Sequence, residues 1–105
     1  MQKEITRVVF RKWPEGKVEG VRAGRIFALF PEIPAGHPGH QCQSYEQGQH
    51  RAVVYDLCIR TSRPASHKDY ANLKAELEEI GYHLEVVTRI TPAMLEARWQ
   101  AAKKG

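Results

Sequence analysis

The stretch from Ser66 to Gly81 constrains the fold most, because it predicts one amphipathic helix with both of its ends marked. Ser66 is followed three residues later by Asp69, the spacing at which two side chains satisfy each other's backbone N–H groups at a helix N-terminus. Gly81 stands where a helix commonly ends in a backbone conformation that favours glycine. We therefore predict a helix over residues 66–80 whose apolar face is formed by Tyr70, Leu73, Leu77 and Ile80.

The N-terminal part of the chain predicts two strands. In a strand over residues 5–13, one face holds Thr6, Val8, Phe10 and Lys12, and the other holds Arg7, Val9, Arg11 and Trp13. We take the first of these faces as the core face. Residues 25–30 predict a second strand that is too apolar to face water on either side, and Pro31 and Pro34 are expected to end it because proline cannot donate to a ladder.

Further strands are predicted at residues 41–46, 52–61 and 82–90, and a short helix is predicted to begin at Thr91 and Pro92. Residues 52–61 alternate so that one side of the strand holds Val53, Tyr55, Leu57 and Ile59. A glycine-containing link to the strand before it predicts a hairpin. The unit at residues 53–90 can bring its two strands parallel through a right-handed crossover. The predicted fold class is α+β: a two-layer, mostly antiparallel sheet of about five strands, covered by one main helix, with a short C-terminal helix.

Length and composition limit the class of protein. The 105 residues predict a single domain over 1–105 with a frayed tail at 101–105. No apolar run approaches the roughly 20 residues needed to cross a bilayer, and the N-terminus lacks the layout of a signal peptide. We therefore expect a cytoplasmic protein with no membrane association, in which Cys42 and Cys58 are reduced thiols.

The net charge of +4 is concentrated in the N-terminal third, where residues 1–30 carry seven Lys or Arg against three Glu. Arg7, Arg11 and Trp13 follow one strand face, with Arg22 and Arg25 nearby in sequence. Basic residues interleaved with an aromatic ring can hold phosphates and stack a base. The same pattern is also typical of a solvated sheet face on which arginine stems cover apolar neighbours.

The segment HPGHQCQSYEQGQH (residues 37–50) crowds three histidines around a cysteine. A zinc ion could be held by three nitrogens and one sulfur, from His37, His40, Cys42 and His50. Zinc ligands usually come in pairs on rigid elements, and here two of the four lie in a Pro/Gly loop. We therefore interpret the histidines as polar loop residues and predict neither a metal nor another cofactor.

The same segment offers a nucleophile and a contact surface. Cys42 could be activated by His50, but no helix start or oxyanion hole is evident, and the alternative is a small buried residue on a strand. We predict no enzymatic activity and keep this pair as an alternative. Tyr45, Gln49 and His50 sit at a strand end and a tight connection, where side chains project from a rigid scaffold. The alternative is that Gln49 and His50 satisfy backbone groups in the turn and that Tyr45 packs inward.

Three segments carry a resemblance: FRKWPEG…RIFALFPEIPAG, CQSYEQGQH and DYANLKAELEEIGYHLEVV. They resemble a family of short, uncharacterised bacterial proteins that also occur in phages, plasmids and integrated elements. Residues 28–32 and 48–50 are the most telling parts. The chain departs from the family in the extra length of KVEGVRAG between the first two strands, and in a spacing from Tyr45 to Gly48 that is one residue shorter.

The resemblance implies a setting and no known reaction, because small proteins of mobile elements frequently bind host machinery, including defence systems that they inhibit. The predicted function is a non-enzymatic accessory protein that binds a host protein. Its predicted contact residues are Arg7, Arg11, Trp13, Arg25, Tyr45, Gln49 and His50. One alternative is a small nucleic-acid-binding domain that uses the basic N-terminal strand, and a lesser one is a Cys/His enzyme.

Overall fold

The computed structural model describes residues 4–14, 24–35, 39–46 and 48–104, which form six strands and three helices. In chain order these are β1 (Thr6–Lys12), β2 (Ile26–Pro34), β3 (Gln41–Glu46), β4 (Gln49–Val54), α1 (Tyr55–Thr61), β5 (Arg63–Pro64), α2 (His67–Ile80), β6 (Leu84–Val86) and α3 (Pro92–Lys104). The predicted α+β class, with its mostly antiparallel sheet, is confirmed. Most of the KVEGVRAG segment, Arg22 included, lies outside the described residues.

The sheet is an antiparallel meander with a divided outer edge. Strands β4, β3, β2 and β1 lie side by side in that order, each antiparallel to its neighbour. The far edge of β1 is shared, because residues 6–8 pair in parallel with β6 and residues 11–12 pair antiparallel with β5. The parallel strand pair is therefore β1 with β6. Strand β4 lies at the opposite edge and runs antiparallel to β6, so the expected parallel arrangement of the fourth and last strands is not found.

Alternation along the strands divides the core into two clusters. One cluster joins Val8, Phe10, Ala28, Phe30 and Tyr45 to Leu77 of α2. The other joins Val9, Trp13, Phe27, Leu29 and Cys42 to Tyr55 and Cys58 of α1. The expectation that the face of Val8 and Phe10 is a core face holds, but the opposite face is buried as well. Arg11 of β1 and Trp13, which follows the strand, were predicted to face solvent and are therefore inside the protein.

Helix α1 occupies a segment that was predicted as a strand. Tyr55 and Cys58 are buried and Ile59 is half-buried, whereas Leu57 is 51% exposed. A strand would bury Leu57 together with Tyr55, but a helix places positions i, i+3 and i+4 on one face. The prediction of a strand over 52–61 is wrong beyond Val54, because the apolar residues there satisfy both periods and packing selects the helical one.

Both ends of helix α2 are as predicted. The Ser66 hydroxyl accepts a hydrogen bond from the Asp69 N–H at 3.2 Å, and the Asp69 carboxylate accepts one from the Ser66 N–H at 3.0 Å. Gly81 adopts a φ of +128° and donates to the carbonyls of Leu77 and Glu78. The hydrogen bond from the Ser66 backbone N–H lowers the pKa of Asp69, so the Asp69 side chain is held in its carboxylate form.

Three predicted boundaries shift. Strand β2 continues to Pro34 because the pairing register slips between Phe30 and Pro34, at an irregularity where Pro31 need not donate. The last strand is limited to Leu84–Val86. Helix α3 includes most of the tail predicted to fray, since Ala102 is buried against Gly39 and the Arg98 side chain donates to the carbonyls of Gly39 and Pro31.

Candidate functional site

Residues from distant parts of the chain meet beside the C-terminal end of α2. In the β3–β4 hairpin, Glu46 pairs with Gln49 and Tyr45 pairs with His50. Gly48 has a φ of +77°, which a tight turn of this kind requires and which residues other than glycine rarely adopt. The His50 and Tyr45 rings consequently meet in a T-shaped arrangement, with 4.9 Å between ring centroids.

Helix α2 and its cap supply the other half of this site. The Tyr45 hydroxyl hydrogen-bonds to the Glu76 carboxylate, and His50 Nε2 lies 2.8 Å from the Tyr82 hydroxyl. Tyr82 follows the Gly81 cap directly and stacks on Phe30, with centroids 5.1 Å apart. We call Tyr45, His50, Glu76 and Tyr82 the His50–Tyr82 cluster. Each contact in it joins elements that are at least 31 residues apart, apart from the cross-strand pair of Tyr45 and His50.

The two tyrosine hydroxyls of the cluster hold their protons more firmly than an ordinary phenol does. The Tyr45 hydrogen bond to Glu76, together with burial, raises the pKa of Tyr45 to about 12. Burial also raises the pKa of Tyr82 above its ordinary value. Both phenols therefore keep their protons at neutral pH. The Tyr45 hydroxyl donates its hydrogen bond to Glu76, whereas the donor in the His50–Tyr82 pair depends on the tautomer of His50. The cluster holds the exposed ring of His50 through its contact with Tyr82 and its ring contact with Tyr45.

Of the hairpin residues that we predicted as partner contacts, one is buried and two are exposed. Tyr45 is only 3% exposed and packs in the core beside α2, so its side chain cannot form a contact surface as we predicted. Gln49 and His50 are exposed, and the Gln49 amide accepts a hydrogen bond from the exposed Arg51. The alternative that Tyr45 packs inward is thus correct, whereas His50 and Gln49 remain available at the surface.

The predicted basic stripe on β1 does not form an exposed surface. Arg11 is buried, and its guanidinium donates to the Ser62 hydroxyl and to the carbonyls of Ile59 and Ser62. Trp13 is 7% exposed, stacks on Phe27 with centroids 4.2 Å apart, and donates its indole N–H to Glu46. The inclusion of Arg11 and Trp13 among contact residues is wrong, because α1 covers this face.

Arg7 and Arg25, the other two basic residues predicted as contacts, do not form such a stripe. Arg7 is held by Glu32 at 3.0 Å and by Glu85 at 3.7 Å, and these carboxylates raise its pKa. Arg25 is half-buried, and its backbone carbonyl accepts from the Trp13 N–H. A nucleic-acid surface composed of Arg7, Arg11, Trp13 and Arg25 is therefore not assembled. The predicted protein-contact set is also split, since Trp13 and His50 lie on opposite sides of the sheet.

Cys42 and His50 do not form a catalytic pair. On β3, Cys42 and Tyr45 point to opposite faces, and His50 contacts Tyr45. Cys42 is fully buried, and burial raises the pKa of its thiol to about 11, which opposes formation of a thiolate. The sequence hypothesis of Cys42 activated by His50 is contradicted by this geometry.

The proposed zinc ligand set is not assembled either. Cys42 and His50 are on opposite faces, His40 is exposed, and His37 lies outside the described residues. Among the described residues, no three His, Cys, Asp or Glu side chains are grouped as a metal site would need.

The sequence analysis did not predict a groove that lies on the α1 side of the sheet. A groove of about 640 Å³ lies between α1 and residues 88–90, and three arginines line it: Arg11, Arg60 and Arg89. Arg60 was assigned to a strand, so nothing connected it with Arg89. Helical spacing of Tyr55, Cys58 and Ile59 was the signal that could have indicated the wall formed by α1.

Comparisons with protein-family models, with curated proteins and with solved structures give no match to this chain. Within the described ranges, every helix is too short or too polar to cross a membrane.

Proposed function

We propose that the chain is a small binding protein without enzymatic activity, which acts by occupying a protein partner at the surface around the His50–Tyr82 cluster. The observation that carries this proposal is that His50, an exposed side chain, is fixed by Tyr82 at 2.8 Å and by the buried ring of Tyr45. A side chain ordered in advance loses little freedom on binding, so more of its contact energy contributes to affinity.

The surroundings of His50 have the mixed character of a protein interface. Ile80 is 54% exposed, and it lies one helical turn beyond Glu76 of the cluster. Gln49 and Tyr82 add an amide and a half-exposed phenol. An apolar side chain beside tyrosine and histidine rings, with polar groups around them, is typical of the centre and rim of a protein–protein contact.

The edge of the sheet favours a protein over a nucleic acid as the partner. Strand β4 ends the sheet, and among the described strands it pairs only with β3. Its outer N–H and C=O groups can therefore accept an added strand from a partner chain, which is a recurrent mode of peptide recognition. We propose that the partner contacts this edge and the His50–Tyr82 cluster together.

The setting we propose is a bacterial cytoplasm, with the chain encoded on a phage, a plasmid or an integrated element. The resemblance to short proteins of mobile elements supports this setting. The segments that carry it also supply the site: residues 28–32 contain Phe30, residues 44–50 contain Tyr45 and His50, and Tyr82 follows Gly81. Inhibition of a host defence system is the role we propose within that setting.

The proposal is tested by capture of a host protein on the immobilised chain, from nuclease-treated bacterial lysate at two salt concentrations. Ile80→Arg places a charge in the proposed surface, at a helix end where a cation is favourable. Leu57→Arg is the matched control, because Leu57 is 51% exposed on α1. We expect one discrete protein to be retained by the wild type and by Leu57→Arg, and to be lost from Ile80→Arg.

Folding must be unaffected for this comparison to hold. Both substitutions are at exposed positions, so we expect unchanged circular dichroism and shifts in melting temperature of no more than about 3 °C. Equal loss of the protein from both variants would contradict the proposed surface. Retention of nothing that survives nuclease and salt would contradict the proposed function.

A further inference from the structure

The groove on the α1 side has a different chemistry from the His50–Tyr82 cluster. Its volume of about 640 Å³ falls within the range of pockets that hold small organic molecules. Arg11, Arg60 and Arg89 bring three guanidinium groups to its walls, and the same walls include one carboxylate, that of Asp56. Positive charge therefore predominates within the groove.

Two of these arginines are available to a ligand. Arg60 is in the last turn of α1, Arg89 follows β6, and both side chains are exposed. Within the described part of the chain, neither forms an ion pair or a hydrogen bond. Guanidinium groups on facing walls can each present a fork of N–H donors to the oxygens of a phosphate or a carboxylate.

The third arginine is fixed in position. Nε and Nη2 of Arg11 bind the Ser62 hydroxyl and the carbonyls of Ile59 and Ser62, which end α1. No carboxylate among the described residues neutralises this buried guanidinium. Burial lowers the pKa of Arg11, as expected for a positive charge that lacks a compensating anion. A bound anion would supply that compensation.

The rest of the groove is apolar. The buried Tyr55 accepts a hydrogen bond from the Ile90 N–H through its hydroxyl, which holds the ring beside residues 88–90. Ile59 and Ile90 are half-buried and line the same space. An anion alone would leave these walls in contact with water, whereas an anion attached to an aromatic or aliphatic body would cover them.

We propose that this groove binds a small organic phosphate, with the phosphate held between Arg60 and Arg89 and the apolar body placed against Tyr55, Ile59 and Ile90. A phosphate monoester carries close to two negative charges at neutral pH and so matches two unpaired guanidinium groups better than a carboxylate does. This site is independent of the protein-binding surface proposed above. The Asp56 carboxylate opposes the ligand and limits its affinity.

The experiment is an NMR titration of the labelled chain with adenosine monophosphate and with phenyl phosphate. Inorganic phosphate is the control for the anion alone, and adenosine is the control for the organic part without a phosphate. We expect at least one of the two phosphate esters to shift the amide signals of α1 and of residues 88–90. We expect adenosine and inorganic phosphate each to bind about tenfold more weakly or not at all.

Variants identify the residues that hold the anion. Arg60→Ala and Arg89→Ala should each weaken binding of the ester about tenfold, the effect of losing a charged hydrogen bond. Asp56→Asn should strengthen it. Arg51→Ala, at an exposed arginine on β4, should leave binding unchanged.

Four results would overturn the proposal. They are the absence of shifts with both esters, equal binding of inorganic phosphate alone, and equal loss of affinity in Arg51→Ala. The fourth is a single-stranded oligonucleotide that binds more tightly than the esters and depends on Arg60 and Arg89, which would assign the groove to nucleic acid. Arg11 is not substituted in this test because its hydrogen bonds hold the end of α1.

Discussion

Helices α1 and α2 cover opposite faces of one sheet and are stabilised in different ways. The ends of α2 are satisfied by neighbours in sequence: Ser66 and Asp69 cap its start, and Gly81 closes its end. Helix α1 has no side-chain cap at Val54, and its last carbonyls accept hydrogen bonds from Arg11, 48 to 51 residues away. A helix with local caps can be predicted from sequence, whereas a helix that depends on a distant side chain cannot.

The two faces also present different surfaces. Beside α2, the rings of Tyr45 and Tyr82 contact the exposed His50 at the edge of the sheet, and Ile80 is exposed at the end of the helix. Beside α1, arginines line a groove with apolar walls. A surface of the first kind suits a protein partner, and a groove of the second kind suits a small anion. The two binding sites that we propose therefore lie on opposite faces of one sheet.

The largest expected effect is that of Trp13→Ala, which tests whether the α1 face is a core. The indole is 7% exposed and stacked on Phe27, so its removal leaves a cavity. We expect the free energy of unfolding in urea to fall by about 3–5 kcal/mol. The control Leu57→Ala, at an exposed position, should change it by no more than about 0.5 kcal/mol. Unchanged stability of Trp13→Ala would show this face to be open.

Next in size is Arg11→Met, which tests the long-range support of α1. Methionine keeps an apolar stem but loses the three hydrogen bonds to Ser62 and Ile59. We expect a loss of about 2 kcal/mol and faster hydrogen exchange in α1 but not in α2. Arg51→Met is the control at an exposed site. Equal protection of α1 in wild type and Arg11→Met would contradict the account of how this helix ends.

Ser66→Ala tests the local support of α2 and should have a smaller effect. Loss of the hydroxyl that accepts from the Asp69 N–H is expected to cost about 1 kcal/mol. Ser66→Gly should cost only a few tenths of a kcal/mol, because glycine is tolerated at this position. Urea denaturation of the two variants measures the difference. If alanine were as well tolerated as glycine, the cap would not stabilise α2.

The smallest effect concerns Tyr45, whose ionisation should change the stability of the fold only at alkaline pH. Its pKa is about 12 in the folded chain and about 10 ordinarily, so the stabilisation is complete below pH 10 and is lost as pH rises towards 12. We expect wild-type stability to decline more steeply over this interval than that of Tyr45→Phe, measured by urea denaturation at each pH. Parallel declines would show that Glu76 does not hold this phenol.

The sequence predicted those features that depend on near neighbours. Alternation in β1 placed Val8 and Phe10 against α2, and the hairpin at Gly48 exposed His50. It could not show that Glu76 contacts Tyr45 or that Tyr82 contacts His50, because these pairs are 31 and 32 residues apart in the chain. It also concealed α1, since Val53, Tyr55 and Ile59 fit a strand whereas Tyr55, Cys58 and Ile59 fit a helix. The groove depended on that helix and was missed with it.

We propose above all that a protein partner contacts the surface around the His50–Tyr82 cluster. The most direct measurement is photo-crosslinking in living bacteria, with a photoreactive amino acid placed at Gln49 or, as the control, at Leu57; both positions are exposed. We expect one discrete protein adduct from position 49 and none from position 57. An adduct from position 57 alone, or the same adduct from both positions, would contradict it.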